Sequence, residues 1–427
     1  MNIVKLNLLN PQQEIPKITY RPFKTYGSNV YLEKILSSKT QEWTDGIYEL
    51  SMETHEMQRI DVGRQVQDPF LFDMEIPYTL SDVVKLSKHS KIYFSLTTQT
   101  VDTVSITFYE IDLDTREQTP ILTFSFEDEE LEYLGMEMLD DGYFFFRLNE
   151  YKDDDTMDFF DIVHLVDVKE KQFYRVYDPV VRMTFGEKIV FHNEKGSHMI
   201  VEESYLTEAE QFEFLTSRDL ELAIEVPKDF SENFVHRNAI YLIDFDTFLS
   251  EIKAGARSLS YETLDSIYMD GLIRIIGESD DCIYYKQRVY DFVLKQHKDF
   301  MSRMMLGNEI ILELNKNTLE SKVIAKEHYP NNIFVNEKGS YKAVETEDTI
   351  EVVHLKSQKS ILKYSKLPAF YEVEEFRDYA GNYLIIHCCA KYANDMEYIK
   401  IVDTANNNEL VDVVNDYFIL NDIIFTI

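Results

Sequence analysis

The chain is short of the residues that mark most specialised chemistries: one tryptophan, three cysteines, ten prolines and 13 glycines in 427 residues. The cysteines are Cys282, Cys388 and Cys389, which form neither a spaced ligand pair nor a redox pair. That excludes a disulfide framework and a thiolate zinc site, and it predicts buried free thiols in a reducing compartment. Basic residues are scarce as well. Lys and Arg number 43 against 77 Asp and Glu, a formal charge of -34. Such a charge repels phosphate backbones and anionic lipid, so nucleic acid and membrane surfaces are not expected partners. No apolar run reaches the roughly 18 residues of a membrane helix. The opening stretch Met1-Asn2-Ile3-Val4-Lys5-Leu6-Asn7 lacks the apolar core of a signal peptide. A cytoplasmic location is the expectation. A membrane barrel, suggested by the terminal Phe425-Thr426-Ile427, is disfavoured by the missing export signal and by charges at outward strand positions. No phosphate-cradling loop, Gly-x-Ser-x-Gly elbow, His-Glu-x-x-His helix or Cys-x-x-Cys pair occurs, and no cofactor is expected.

Aromatic residues are abundant, with 28 Tyr and 28 Phe, and these favour pleated, half-buried surfaces. One phrase is written twice. Phe191-His192-Asn193-Glu194-Lys195-Gly196-Ser197 followed by Val201-Glu202 returns as Phe334-Val335-Asn336-Glu337-Lys338-Gly339-Ser340 followed by Val344-Glu345. Each copy reads as strand, turn, strand. A second pattern, an apolar strand running into a polar turn, occurs seven times. It begins at Leu50-Ser51-Met52, Ile111-Asp112-Leu113, Val166-Asp167-Val168, Ile243-Asp244-Phe245, Leu312-Glu313-Leu314, Val353-His354-Leu355 and Ile399-Lys400-Ile401. Period-two alternation before a turn marks a strand entering a hairpin. Upstream lies another hairpin with a very apolar second strand, as in Tyr143-Phe144-Phe145-Phe146. Downstream comes a short fourth strand, such as Gln118 to Phe126. The repeating unit is therefore four strands, A to D.

Seven four-stranded units in series resemble a β-propeller of the broad WD40-like and TolB-like kind. The resemblance is one of pattern. The Trp-Asp and Gly-His signatures of WD40 blades and the Ser-Pro-Asp-Gly turn of TolB-like blades are absent. The predicted fold is all-β: a seven-bladed propeller of four-stranded antiparallel blades, with short helical insertions in blades 4 and 5. Residues 1–427 then form one domain, and the strand-turn-strand of 417–427 completes blade 1. Two β-sandwich domains are the rival architecture, disfavoured by the even phasing of the hairpins.

Long connections fall mainly between strands B and C and between one blade's D and the next blade's A. The insertions at about 204–237 and 288–308 carry helical signals: a capping box at Thr207-Glu208-Ala209-Glu210, then Tyr290, Val293, Leu294, His297 and Met301 at helical spacing. On the opposite face, Asp246 to Gly255 reads as a short capped helix. Loops that collect aromatic and Met residues are where a propeller binds. The candidate partner-binding residues are Trp43, Phe70, Phe72, Tyr78, Tyr290, Met304 and Met305, with Trp43 placed in the B–C loop of blade 1. Arg288, Lys295, Lys298 and Arg303 form a basic island, expected to complement acids of the same chain. His192 and His198 flank the first repeated turn, but the second copy has Val335 and Tyr341 there, so no metal site is predicted. Asp153, Asp154, Asp155, Asp158 and Asp161 lack the glycine and spacing of a calcium loop.

The function expected is a non-catalytic scaffold that holds a protein or peptide partner on the B–C and D–A face. One alternative is a carbohydrate-active hydrolase or lyase with an acidic site in the central funnel. The other is a self-associating structural component. The sequence does not set the oligomeric state.

Overall fold

The computed structural model describes residues 3–6, 17–37, 42–61, 79–83, 90–99, 103–127, 131–150, 160–178, 188–204, 238–267, 271–290, 307–329, 332–367, 372–390, 396–406, 408–414, 416–420 and 423–426. They fold as antiparallel four-stranded blades of the β-propeller type, seven in number, and one further three-stranded sheet. In blade 3 the strands are Leu131–Asp140, Tyr143–Glu150, Phe160–Asp167 and Gln172–Arg175, each paired with the next. Blades 1 and 2 are joined by one pair, Thr44 opposite Leu80, into an eight-stranded sheet.

The blade count corrects the expectation of seven. Strands Tyr417–Leu420 and Ile423–Thr426 do not complete blade 1. They form an eighth sheet with Ile3–Lys5, which pairs parallel to Ile423–Thr426. Three residues are too few to register as a strand in a periodicity reading, and a parallel partner lies far away in the chain.

The helical content is also corrected. Among the described residues the one α-helix is Phe245–Lys253, in the C–D link of blade 4. Asp244 caps it by accepting from the Thr247 amide at 2.8 Å, as expected of the segment from Asp246 to Gly255. The insertions at 204–237 and 288–308 lie largely outside the described residues. Their described ends, Ser204, 288–290 and 307–308, are strand.

The chain divides into two compact units, Met1–Arg175 with Phe370–Ile427, and Val176–Ala369. In the first, blades pack face to face through apolar strips. Ile385 and Ile401 of blade 7 meet Ile424 of the eighth sheet. Phe425 of that sheet meets Val30, Leu32 and Leu50 of blade 1. Phe23, Tyr31 and Ile47 meet Ile92 and Phe94 of blade 2, whose Ile106 and Phe108 meet Phe144 and Phe146 of blade 3. In the second unit, Ile200, Ile240 and Leu242 of blade 4 pack on Ile273, Ile283 and Leu314 of blade 5. Among the described residues, the seam between blades 5 and 6 carries ion pairs. Lys356 reaches Glu313 at 3.2 Å and Lys342 reaches Glu327 at 2.8 Å.

The repeated phrase is an A–B turn in both places, with the same register: Phe191 opposite His198 and Phe334 opposite Tyr341. Asn193 Oδ1 accepts from the Lys195 amide at 2.7 Å, and Asn336 Oδ1 from the Lys338 amide at 2.9 Å. Gly196 and Gly339 then take φ of 139° and 140°, a region that favours glycine. Turn geometry accounts for the copying. His192 and His198 sit on adjacent rungs and so point to opposite faces.

The seven-fold pattern is a capped C–D turn. Its key position is the last residue of strand C: Ser51, Asp112, Asp167, Asp244, Asn315, His354 and Asp403. Each accepts from a backbone amide two or three residues on, as Asp112 does from Asp114 at 3.0 Å and Thr115 at 2.8 Å. These amides, with the Thr115 hydroxyl, hold the Asp112 carboxyl below the usual carboxylate range. The frame corrects two copies, where Asn315 and Asp403, not Glu313 and Lys400, take the capping place. Six of the turns put a residue other than glycine at positive φ: His55, Arg116, Lys171, Leu319, Gln358 and Asn408. That is how so glycine-poor a chain builds so many hairpins, at a cost of about 1 kcal/mol per turn.

Lys171→Gly and His55→Gly, both at exposed positions, relieve that strain while adding freedom to the unfolded chain. Each is expected to raise stability by about 0.5 kcal/mol, read as a higher urea midpoint with an unchanged slope.

Candidate functional site: the roots of the long connections

Every A–B and C–D turn is short except the helix-bearing link of blade 4 and the A–B link of blade 2. The four longest B–C and D–A connections run between Arg59 and Thr79, Arg175 and Lys188, Ser204 and Asn238, and Tyr290 and Gly307. Each of these four is rooted beside a buried carboxylate.

In the first unit the root is Asp61, whose side chain is fully buried. It accepts from the Ile47 amide at 2.8 Å and takes Arg59 bidentately, Nε at 3.0 Å and Nη2 at 2.9 Å. Gly46 lies against this pair. A Cβ there would come within 2.8 Å of Asp61 Oδ2 and 2.9 Å of Arg59 Cζ, so any side chain at 46 would displace this ion pair.

In the second unit there are three roots. Asp178, buried, accepts from the Leu259 amide at 2.9 Å, tying the chain after blade 3 to the segment behind the blade 4 helix. Glu202, near the end of strand B of blade 4, accepts from the Ile275 amide of blade 5 at 2.8 Å. That amide sits at a register shift between Ile275 and Gly277, which takes it out of regular pairing. Glu309 is fully buried at the start of strand C of blade 5. It stands directly opposite Arg288, which donates to it through Nε at 2.9 Å and Nη2 at 2.7 Å. Lys286 adds a contact at 3.2 Å. Beside them Gln287 donates to Asp265 across blades 4 and 5, and burial raises the Asp265 carboxyl.

The chemistry of these groups is that of anchors. Each carboxylate is bound to a backbone amide or to cations, and a buried charge held this way fixes geometry rather than adding much net stability. At the far end of blade 5, burial alone would raise Glu313. Lys322 at 3.1 Å and Lys356 at 3.2 Å overcome that and hold it below the usual range. The neighbouring Cys282 thiol is pushed up, first by burial and then by Glu313, which makes it unreactive.

Of the residues singled out from the sequence, Phe70, Phe72, Tyr78, Met304 and Met305 lie outside the described residues. Trp43 is not in a loop: its backbone belongs to strand Glu42–Ser51, opposite Leu36. Tyr290 is the last residue of strand Cys282–Tyr290, opposite Gly307. Of the basic island, Arg288 finds its complement in Glu309 of the same blade; Lys295, Lys298 and Arg303 lie outside the described residues. Sequence reading missed all four root carboxylates, because nothing in composition separates them from the other acids. No group of three or more potential metal-ligating side chains occurs among the described residues, and none of the described helices is long and apolar enough to cross a membrane.

The fold and these sites define a β-propeller-type repeat protein with eight sheets. No protein-family model matches the sequence, and no curated protein matches it. Among solved structures, the chain is similar to a prolyl endopeptidase studied for inter-domain dynamics in catalysis and specificity, with TM-score 0.46 and 8% identity over 95% of this chain and 50% of that one. It thus spans about half the length of that enzyme. An oligogalacturonate lyase in complex with manganese gives TM-score 0.40 and 10% identity, over 92% of this chain and 98% of the lyase. The β-propeller domain of the Trilobed protease from Pyrococcus furiosus gives 0.40 and 9%, over 91% and 95%.

Glu309→Ala would leave Arg288 and Lys286 without their buried partner. It is expected to cost about 3 kcal/mol, measured by urea unfolding, with Glu309→Gln intermediate. A second effect concerns pH. Because the Glu313 carboxyl is depressed, its contribution is fully present above the unfolded glutamate value, about 4.3, and is lost as pH falls through the lower folded value. Glu313→Gln is expected to flatten the acid limb of the stability-pH curve below about pH 4.5.

Proposed function

We propose that this chain is a non-catalytic interaction scaffold that holds a protein or peptide partner through its B–C and D–A connections. The observation that supports it is the pairing of length with anchorage. The longest connections at that end of the blades leave the fold beside Asp61, Asp178, Glu202 and Glu309, each already bound within the blades. A fixed root reduces the ordering cost that a long loop meets on binding. Long loops on a rigid frame are where binding residues concentrate. The free thiols, with Cys282 and Cys388 buried, accord with a reducing cytoplasm as the setting.

The test is capture from native lysate with the full chain and with two variants, one replacing 205–237 and one replacing 291–306 by short turns. A specific partner lost from one variant, with unfolding unchanged, is the expected result. Retention of every partner by both variants overturns the reading. Turnover of oligosaccharide or peptide substrates by the full chain would favour an enzyme instead.

A further inference from the structure

His164 stands on strand C of blade 3 among phenylalanines. Its ring stacks on Phe146 of strand B, centroids 4.7 Å apart and planes at 11°. Phe124 of blade 2's outer strand lies at 5.4 Å, and Phe173 of blade 3's outer strand meets it edge-on at 5.5 Å. Phe124, Phe146 and Phe173 also touch one another, so the imidazole fills the place of a fourth aromatic ring in the seam between blades 2 and 3. It is 7% exposed, and its Nδ1 has no hydrogen-bond partner.

A neutral ring fits this setting. A charged one does not. The facing groups from strand B and from blade 2's outer strand are Phe146, Phe124 and, beyond Phe124, Phe126. The outer strand of blade 3 brings Phe173 and, directly opposite His164 in the ladder, Arg175. The charge that acts on the ring is therefore of like sign. Burial first, and Arg175 second, push the imidazole down to about 4.

We propose that His164 makes the seam between blades 2 and 3 a proton-sensitive joint, closed with neutral imidazole and opened when the ring takes up a proton. Opening exposes Phe146, fully buried in the closed seam, and the covered part of Phe124; Phe173 is already 41% exposed. The direction follows from linkage. The open state, with an ordinary imidazole, binds the proton more readily than the closed one, so acid favours opening. The effect begins as pH falls through about 6.5 and levels off near the closed-state value. The opening equilibrium then rises about 20-fold at pH 5, and approaches about 200-fold well below pH 4, relative to pH 7.

The test is hydrogen exchange of the full chain at pH 7 and pH 5, corrected for intrinsic chemical rates and read in peptides from 131–150 and 160–175. Wild type is expected to open about 20-fold more at pH 5, whereas His164→Phe, which keeps the aromatic stack, is expected to show no pH dependence there. An equal response in both proteins, or none in wild type, overturns the proposal. If His164→Phe does not fold, the imidazole is titrated by NMR in wild type. A midpoint well below the ordinary histidine value upholds the joint, and an ordinary midpoint overturns it.

Discussion

The structure depends on the fact that the inner strands of most blades are apolar on both faces. In blade 3, Phe144, Phe145 and Phe146 are all fully buried, as are Leu384, Ile385 and Ile386 in blade 7. Adjacent residues on a strand point to opposite sides, so such a run demands a neighbour on each side. No blade can satisfy this alone, and stacking follows. The three-stranded sheet answers the same demand in the first unit. Ile424 turns toward blade 7 and Phe425 toward blade 1, so two adjacent residues of one strand cover two apolar faces.

Polar groups are then sorted by where stacking leaves room. At the C–D turns, side-chain caps satisfy backbone amides in water. Inside the protein Asp61, Asp178 and Glu202 do the same, and Glu309 holds cations instead. The seam between blades 5 and 6 is where ion pairs join neighbouring blades of the second unit. His164 stands apart from both solutions: it is a buried polar group whose Nδ1 has no partner, tolerated only while neutral.

Much of this was legible in the sequence, for definable reasons. The unit A–B–C–D showed because each turn has a local chemical signature, and the helix showed as a short capped segment from Asp246 to Gly255, with its cap, Asp244, visible only in the fold. Trp43 was misplaced because Asp45-Gly46 imitates a turn. In the fold, Gly46 serves a close approach of Asp61 and Arg59 that no local rule contains. The eighth sheet escaped because its N-terminal strand is only Ile3–Lys5 and its partner is at the other end of the chain. The four root carboxylates escaped because their meaning lies entirely in what they bind across blades, and 77 acids offer no way to rank them.

The terminal sheet covers the open faces of blades 7 and 1. Hydrogen exchange of Phe425→Asp against wild type tests it most directly. Faster exchange in peptides from both 17–59 and 372–414 is the predicted result. Faster exchange confined to 423–426 would contradict it.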